Sequence, residues 1–398
     1  MIIMGLKIDN FYSFKDFKIN FSYPRKIKNS LIEDEYIKEI PNFRFKKLNI
    51  IMGSNSAGKT TFGKMLRNIF NFIAKQRIDL LLEAVNKENK EAMFELDIVL
   101  KEEKKYNLYR LKVVVEKIIL NEDDEYLNIK KIELRKTTLN KNDSYERAVE
   151  RLEIMKKYSQ EENEKNETEK ILAEINSFGW FFNFPQSNSL TKKIKNLNVA
   201  GNILKTFDNT IENIKEIENT ENGYQIIFKN RDSVLLQNGK IVDRDILSSG
   251  TEEALGIVFA MDQMIQEPDR PFYIDEKFSH AHSELEKSIL SIMIDIIGNE
   301  SQLFFTTHNI DILTMNFPTH SFIFLSKDET GKIKVTYPED VIKRNDRNLI
   351  NYVKNNVFDT VPDDELIYEI IDIVNDKRNE EIWKSRYITS LKESAKKS

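Results

Sequence analysis

Gly53-Ser54-Asn55-Ser56-Ala57-Gly58-Lys59-Thr60 is a complete G-x-x-x-x-G-K-[ST] phosphate-binding loop. It follows the apolar run Leu48-Asn49-Ile50-Ile51-Met52 and precedes a helix-like stretch from Thr61 to Phe70. Strand, loop and helix in that order are the context the motif needs. Its glycines let backbone N–H groups turn inward around phosphate oxygens, and the helix N-terminus adds partial positive charge. Gly53, Ser54, Asn55, Ser56, Ala57, Gly58, Lys59, Thr60 and Thr61 are therefore the expected nucleotide-binding residues. Lys59 is suited to neutralise β- and γ-phosphates, and Thr60 to hold Mg²⁺. The expected cofactors are ATP and Mg²⁺.

Composition bounds the rest. A chain of 398 residues holds two or three structural units at the usual rough size of 100–200 residues each. The net charge of −5 neither supports nor excludes a local basic patch. Without cysteine there are no disulfides, thiolate zinc sites or cysteine nucleophiles. No apolar stretch reaches the roughly 20 residues of a membrane span. Met1 to Ile8 reads as a first strand and not as a signal peptide. A cytoplasmic protein is expected.

Leu6 to Phe21 alternates like paired strands, and residues 22–44, broken by Pro24 and Pro41, read as an excursion. The helix after the phosphate loop is expected to run to about Asn86. Met93–Leu100, Tyr106–Val115 and Leu127–Leu134 have period two and form an antiparallel meander. Glu150 to Tyr158 has apolar residues at helical spacing, and Ile171 to Ile175 resumes the helix. This region reads as a solvated surface helix or as a short projecting arm. Phe178 to Phe184 is an aromatic knot, read as core. A helix is expected over Val199–Ile217, then strands at Tyr224–Phe228 and Ser233–Gln237.

The second half carries more chemistry. In Leu247-Ser248-Ser249-Gly250-Thr251-Glu252, Ser249 and Glu252 have capping-box spacing before an apolar helix. The same turn also reads as an anion site, with exposed Ser249 and Gly250 amides and no lysine of its own. Such a turn could complete a phosphate pocket on another subunit. Phe272-Tyr273-Ile274-Asp275-Glu276 is an apolar strand ending in two carboxylates. Asp275 suits Mg²⁺, and Glu276 suits a water-polarising base. Ser301 to His308 is another apolar strand, with His308 at its carboxyl end as a γ-phosphate sensor.

In this order the four elements resemble the ABC-type ATPases, in the soluble branch of SMC, RecF and OLD-like proteins. The first strand at Leu6–Phe14 and Asp275-Glu276 followed by Ala281-His282 share that resemblance. It covers residues 1–120 and 240–326, and is weak over 137–235. It implies an α/β P-loop NTPase head of ABC-ATPase type, with an antiparallel β-meander and a helical insertion. The implied layout is 1–136, the N-terminal half of the head; 137–235, a helical or variable insertion; 236–335, the C-terminal half; and 336–398, a helical region for oligomer or partner contacts. It further implies a head-to-head dimer. Ser249 and Gly250 would bind the γ-phosphate in trans, His308 in cis, and Glu276 would position the attacking water. Thr251-Glu252 stands where transporter-type signatures carry glutamine, and Gln186 is the candidate for the glutamine loop.

Two functions follow from the resemblance. One is an ATPase whose ATP-dependent dimerisation gates a separate effector in bacterial anti-phage defence. The other is a RecF- or SMC-like DNA-maintenance ATPase binding nucleic acid across joined heads. The basic runs Lys130-Lys131, Lys192-Lys193 and Arg344–Arg347 are scattered and diluted by acids. The 90 residues after His308 contain no strand ending in D-x-D, so no intrinsic nuclease is expected.

Overall fold

The computed structural model describes residues 1–23, 30–86, 91–121, 124–159, 165–176, 178–184, 193–238, 240–242, 247–279, 281–342, 349–360 and 365–395. Gln186 lies outside them, as do Lys192 and residues 344–347. The chain divides into two compact units, residues 1–360 and 361–398. The first reaches beyond the boundary expected at 336 and includes the short helices Pro338–Val341 and Leu349–Lys354.

A six-stranded sheet organises the first unit. Its order is Phe181–Asn183, Phe272–Asp275, Leu303–Thr306, Leu48–Met52, Phe322–Lys327 and Ile333–Thr336. Every neighbouring pair is parallel except the last. Leu48–Met52, Phe272–Asp275 and Leu303–Thr306 are buried at every position. This is why they read as unbroken apolar runs without alternation. The register sets Asp275 opposite Thr306 and Thr306 opposite Ile51. The chain therefore leaves all three strands at one edge, where ligands of open α/β sheets bind.

A second sheet, wholly antiparallel, runs Phe17–Asn20, Ile2–Asp9, Glu91–Glu102, Lys105–Asn121, Asp124–Thr138 and Glu153–Ser159. It contains the expected meander. The helix Lys59–Lys75 shares one core with both sheets: Phe62, Met65, Leu66, Ile69 and Phe72 pack in a cluster with Phe94, Leu96, Leu111, Tyr273 and Phe304. Gln302 fastens the sheets together. Its Nε2 donates to Ile3 O at 3.0 Å and Lys46 O at 3.1 Å, and its Oε1 accepts from Ile3 N at 2.6 Å. On the other face, Ile50, Ile274, Phe305 and Phe324 pack with Met261, Leu290 and Met293. A four-stranded antiparallel sheet, Ile211–Glu216 to Lys240–Ile241, and the helix Leu197–Phe207 share a third core with the helix Ser249–Gln266.

Several sequence expectations give way. The helix after the phosphate loop stops at Lys75, not Asn86, because Gln76 takes a left-handed conformation at φ 57° and its N–H caps Phe72 O. A 3₁₀ turn, Ile78–Ala84, follows. Glu153–Ser159 is an edge strand where helical spacing was read; pairing along Asp124–Thr138 outweighs local periodicity. The helix expected to Ile217 ends at Phe207, where Asp208 caps a turn through Thr210 N, and Ile211–Glu216 is a strand. Among the described residues, the 137–235 segment, expected as a helical or variable insertion, holds strands beside the helices Tyr145–Glu150, Lys165–Ala173 and Leu197–Phe207. The aromatic knot packs on the core: Phe70 meets Phe178 edge to face and Trp180 and Phe182 at tilted angles.

Candidate functional site

Gly53 begins the phosphate loop under steric constraint. A Cβ there would stand 2.3 Å from Leu325 O. At the other end Gly58 has φ 104°, and a Cβ would stand 2.4 Å from Ile333 Cδ1. Only glycine meets both demands. Asn55 and Ser56 are exposed at the tip, Ser56 with φ 67°. Ala57 and Gly58 are buried, and Ser54, Thr60 and Thr61 are half-buried. The helix Lys59–Lys75 opens on Gly58 with no side-chain cap and no acidic residue in its first turn. Its first N–H groups and its dipole are left for an anion.

Lys59 is buried and turns back over the loop. Its Nζ donates to Gly53 O at 2.8 Å and Ser54 O at 3.1 Å, and pairs with Glu276 Oε1 at 3.0 Å. Two of the ammonium's three donors are thus spent on backbone carbonyls, and Glu276 is the anion beside it. Tyr273 OH donates to Lys59 O at 2.7 Å, tying the helix start to the acidic strand.

Asp275 and Glu276 occupy different environments. Asp275 is fully buried and accepts from Thr306 Oγ1 at 2.6 Å. Burial pushes its carboxyl upward; Thr306 and Thr60 hydroxyls pull it back, Glu276 raises it and Lys59 lowers it. Among the described residues its Oδ2 has no hydrogen-bond partner. A buried, unpaired carboxylate oxygen beside Thr60 fits a hard cation, which takes oxygen ligands and keeps waters. Thr60 and Asp275 are therefore the residues that would hold Mg²⁺, which would neutralise phosphate charge there. Glu276 is half-buried and has a left-handed backbone, φ 42°. Its N–H is held by Thr306 Oγ1 at 3.0 Å and Thr306 O at 3.3 Å. A left-handed glutamate costs about 1–3 kcal/mol, a strain typical of functional turns.

His308 is exposed. It lines a cleft of about 210 Å³ with Glu276, Ser279, Ala281, Ser283, Glu286 and Asn309. The structure therefore gathers Lys59, Thr60, Asp275, Glu276 and His308 at one sheet edge. No hydrogen bond among the described residues joins Ser249 or Gly250 to the phosphate loop. Ser249 is exposed and Gly250 half-buried. The cap of their helix is Ser248, not Ser249 as the capping-box spacing implied. Ser248 Oγ accepts from Thr251 N at 3.2 Å, which leaves Ser249 outside the cap.

Residues without motif status hold these loops. Ser279 N donates to Glu253 Oε1 at 2.6 Å, tying the turn after Glu276 to the first turn of the Ser249–Gln266 helix. Lys277 is buried beside Gly256 of that helix, and burial pushes its ammonium down to about 8, opposed by Glu253 and Asp275. Glu286, on the helix Ser283–Ile296, accepts from Thr307 Oγ1 at 2.8 Å and Asn309 Nδ2 at 2.6 Å. The one available sequence signal for Glu286 is its position one helical turn after His282.

Comparison with known proteins places the chain. Residues 48–314 match the family described as "AAA domain, putative AbiEii toxin, Type IV TA system", and the chain belongs to it. Curated proteins yield no match. Among solved structures, an SMC head bound to the C-winged helix domain of ScpA is 14% identical, with TM-score 0.45, covering 86% of this chain and 100% of that one. The SMC head domain from Thermotoga maritima is 12% identical, with TM-score 0.37, covering 85% and 99%. A Pyrococcus furiosus Smc head with an extended coiled coil, bound to the C-terminal domain of ScpA, is 13% identical, with TM-score 0.42, covering 89% and 99%. Likeness at this level leaves function open. Among the described residues, no helix is long and apolar enough to cross a membrane.

Proposed function

We propose that this P-loop ATPase binds and hydrolyses ATP with Mg²⁺, and that ATP joins two copies head to head and so gates a separate effector protein in anti-phage defence. The observation that carries the reading is the assembly of Lys59, Asp275, Glu276 and His308 at one sheet edge, with Ser249, exposed at the start of another helix, making no hydrogen bond to it among the described residues. That turn would serve as the lid of a twin's site. ATP would displace Glu276 from Lys59, and the released carboxylate would then polarise water at the γ-phosphate. Hydrolysis would reopen the pair.

DNA bridging has less support. Lys130 and Lys131 pair with Glu91 and Glu133, and Lys193 with Glu216. Among the described residues, Lys130, Lys131 and Lys193 are thus compensated locally.

Glu276→Gln tests the reading. It removes both the base and the charge that competes for Lys59. Turnover should fall about 100-fold or more, within the range for a general base, while ATP affinity rises and dimers accumulate on ATP addition. Lys59→Ala should abolish nucleotide binding and dimerisation together. Unchanged turnover in E276Q would sink the assignment of the base.

A further inference from the structure

The ring of His308 makes no hydrogen bond among the described residues, so its position is set by its chain neighbours. Both neighbours are held by one carboxylate. Glu286 is 3% exposed and accepts from the hydroxyl of Thr307 and the amide of Asn309, on either side of the histidine. The Asn309 amide also reaches Ser283 Oγ at 3.1 Å, and Ser283 Oγ donates to Asp311 Oδ2 at 2.7 Å. The loop after the Leu303–Thr306 strand is thus sewn to the start of the Ser283–Ile296 helix. Glutamate is rarely buried without a paired cation, and among the described residues Glu286 has no salt bridge. Burial pushes its carboxyl up, against hydrogen bonds from Asn309 and Thr307 and the charge of His308. A neutral side chain of the same shape would cost the fold less. The acid stands where two charge-assisted hydrogen bonds can fix a loop geometry.

We propose that Glu286 is the positioning residue for His308: its carboxylate grips Thr307 and Asn309 and fixes where the imidazole stands beside Glu276 in the cleft. The inference rests on the ATPase reading above. Glu286 touches no reacting atom and acts through the histidine. It also ties the loop after the Leu303–Thr306 strand to the Ser283–Ile296 helix, whose N-cap is His282.

The test is a double-mutant cycle on the full-length chain, with ATP Kd and kcat measured separately. Glu286→Gln keeps the size but turns an N–H toward one of two donors. It should lower kcat about 10- to 100-fold, as a misplacement near 1 Å can, and leave the ATP Kd within about twofold. The pair E286Q/H308A should be no slower than His308→Ala alone, because both changes remove the same contribution. Glu286→Asp should recover part of the loss. If E286Q fails to fold, Asn309→Ala carries the same cycle with one of the two bonds removed. Wild-type kcat in E286Q, or losses that multiply with H308A, would overturn the proposal. So would a Kd that weakens in step with Tm, which marks a structural role. Lys59→Ala in the same assay separates the two levels. Turnover that survives K59A sinks the ATPase reading and this inference with it; turnover lost in K59A but kept in E286Q overturns the inference alone.

Discussion

Charge burial decides much at the residue scale. Lys46 is 2% exposed, and its ammonium lies 4.3 Å above the Tyr337 ring. Burial pushes it down to about 8, opposed by Glu339, Glu35 and Asp340. In the unfolded chain it keeps its proton to about 10.5. Between these values the unfolded state binds more protons, so stability contributed through Lys46 rises with pH and is fully regained above the upper value. Below about 8 the folded chain carries the whole cost of the buried charge, roughly 3 kcal/mol for a shift of this size. Urea unfolding of wild type and Lys46→Met across this window should show the variant's advantage shrinking as pH rises. A constant difference would contradict the buried-charge account. Lys59 differs in kind: its charge is matched by Glu276 and two carbonyls. The same burial that is a cost at Lys46 becomes a poised exchange at Lys59.

At the scale of elements, the parts legible in the sequence are those where local pattern and tertiary role agree. Leu48–Met52, Phe272–Asp275 and Leu303–Thr306 read as buried strands because both their faces are covered. The strand–loop–helix around Lys59 was legible because its glycines answer to fixed geometry at Leu325 and Ile333. What failed was decided by distant partners. Ile154 and Met155 suit a helix locally, yet they lie exposed on an edge strand. Ile211 and Ile214 continue a helical spacing, but the Asp208 turn redirects them into a strand. At the site, the motif residues could be placed from the sequence, but their supports could not. Glu253, Glu286 and Gln302 are ordinary polar residues until the fold brings Ser279, Thr307 and Ile3 to them.

For the whole molecule, the second unit offers a surface to test. The helix Glu365–Ala395 exposes Ile367, Tyr368, Ile370, Ile371, Ile373 and Val374 over about two turns. We propose that so dense an exposed apolar run serves as a contact site. Ile367→Asp with Ile371→Asp in the full chain should lower the mass seen by light scattering without ATP, and leave ATP binding intact; an unchanged mass would remove this helix from the assembly. The head-to-head contact that we propose would be driven by nucleotide, with a site built from both copies. Complementation tests it most directly. Lys59→Ala and Ser249→Arg chains should each be inactive alone. Mixed one to one, a dimer of unlike chains carries one intact site and a dimer of like chains none, so turnover should return to a fraction of wild type, at most about half. A mixture as inactive as its parents, or a Ser249→Arg chain that hydrolyses ATP unaided, would contradict a lid supplied by the twin.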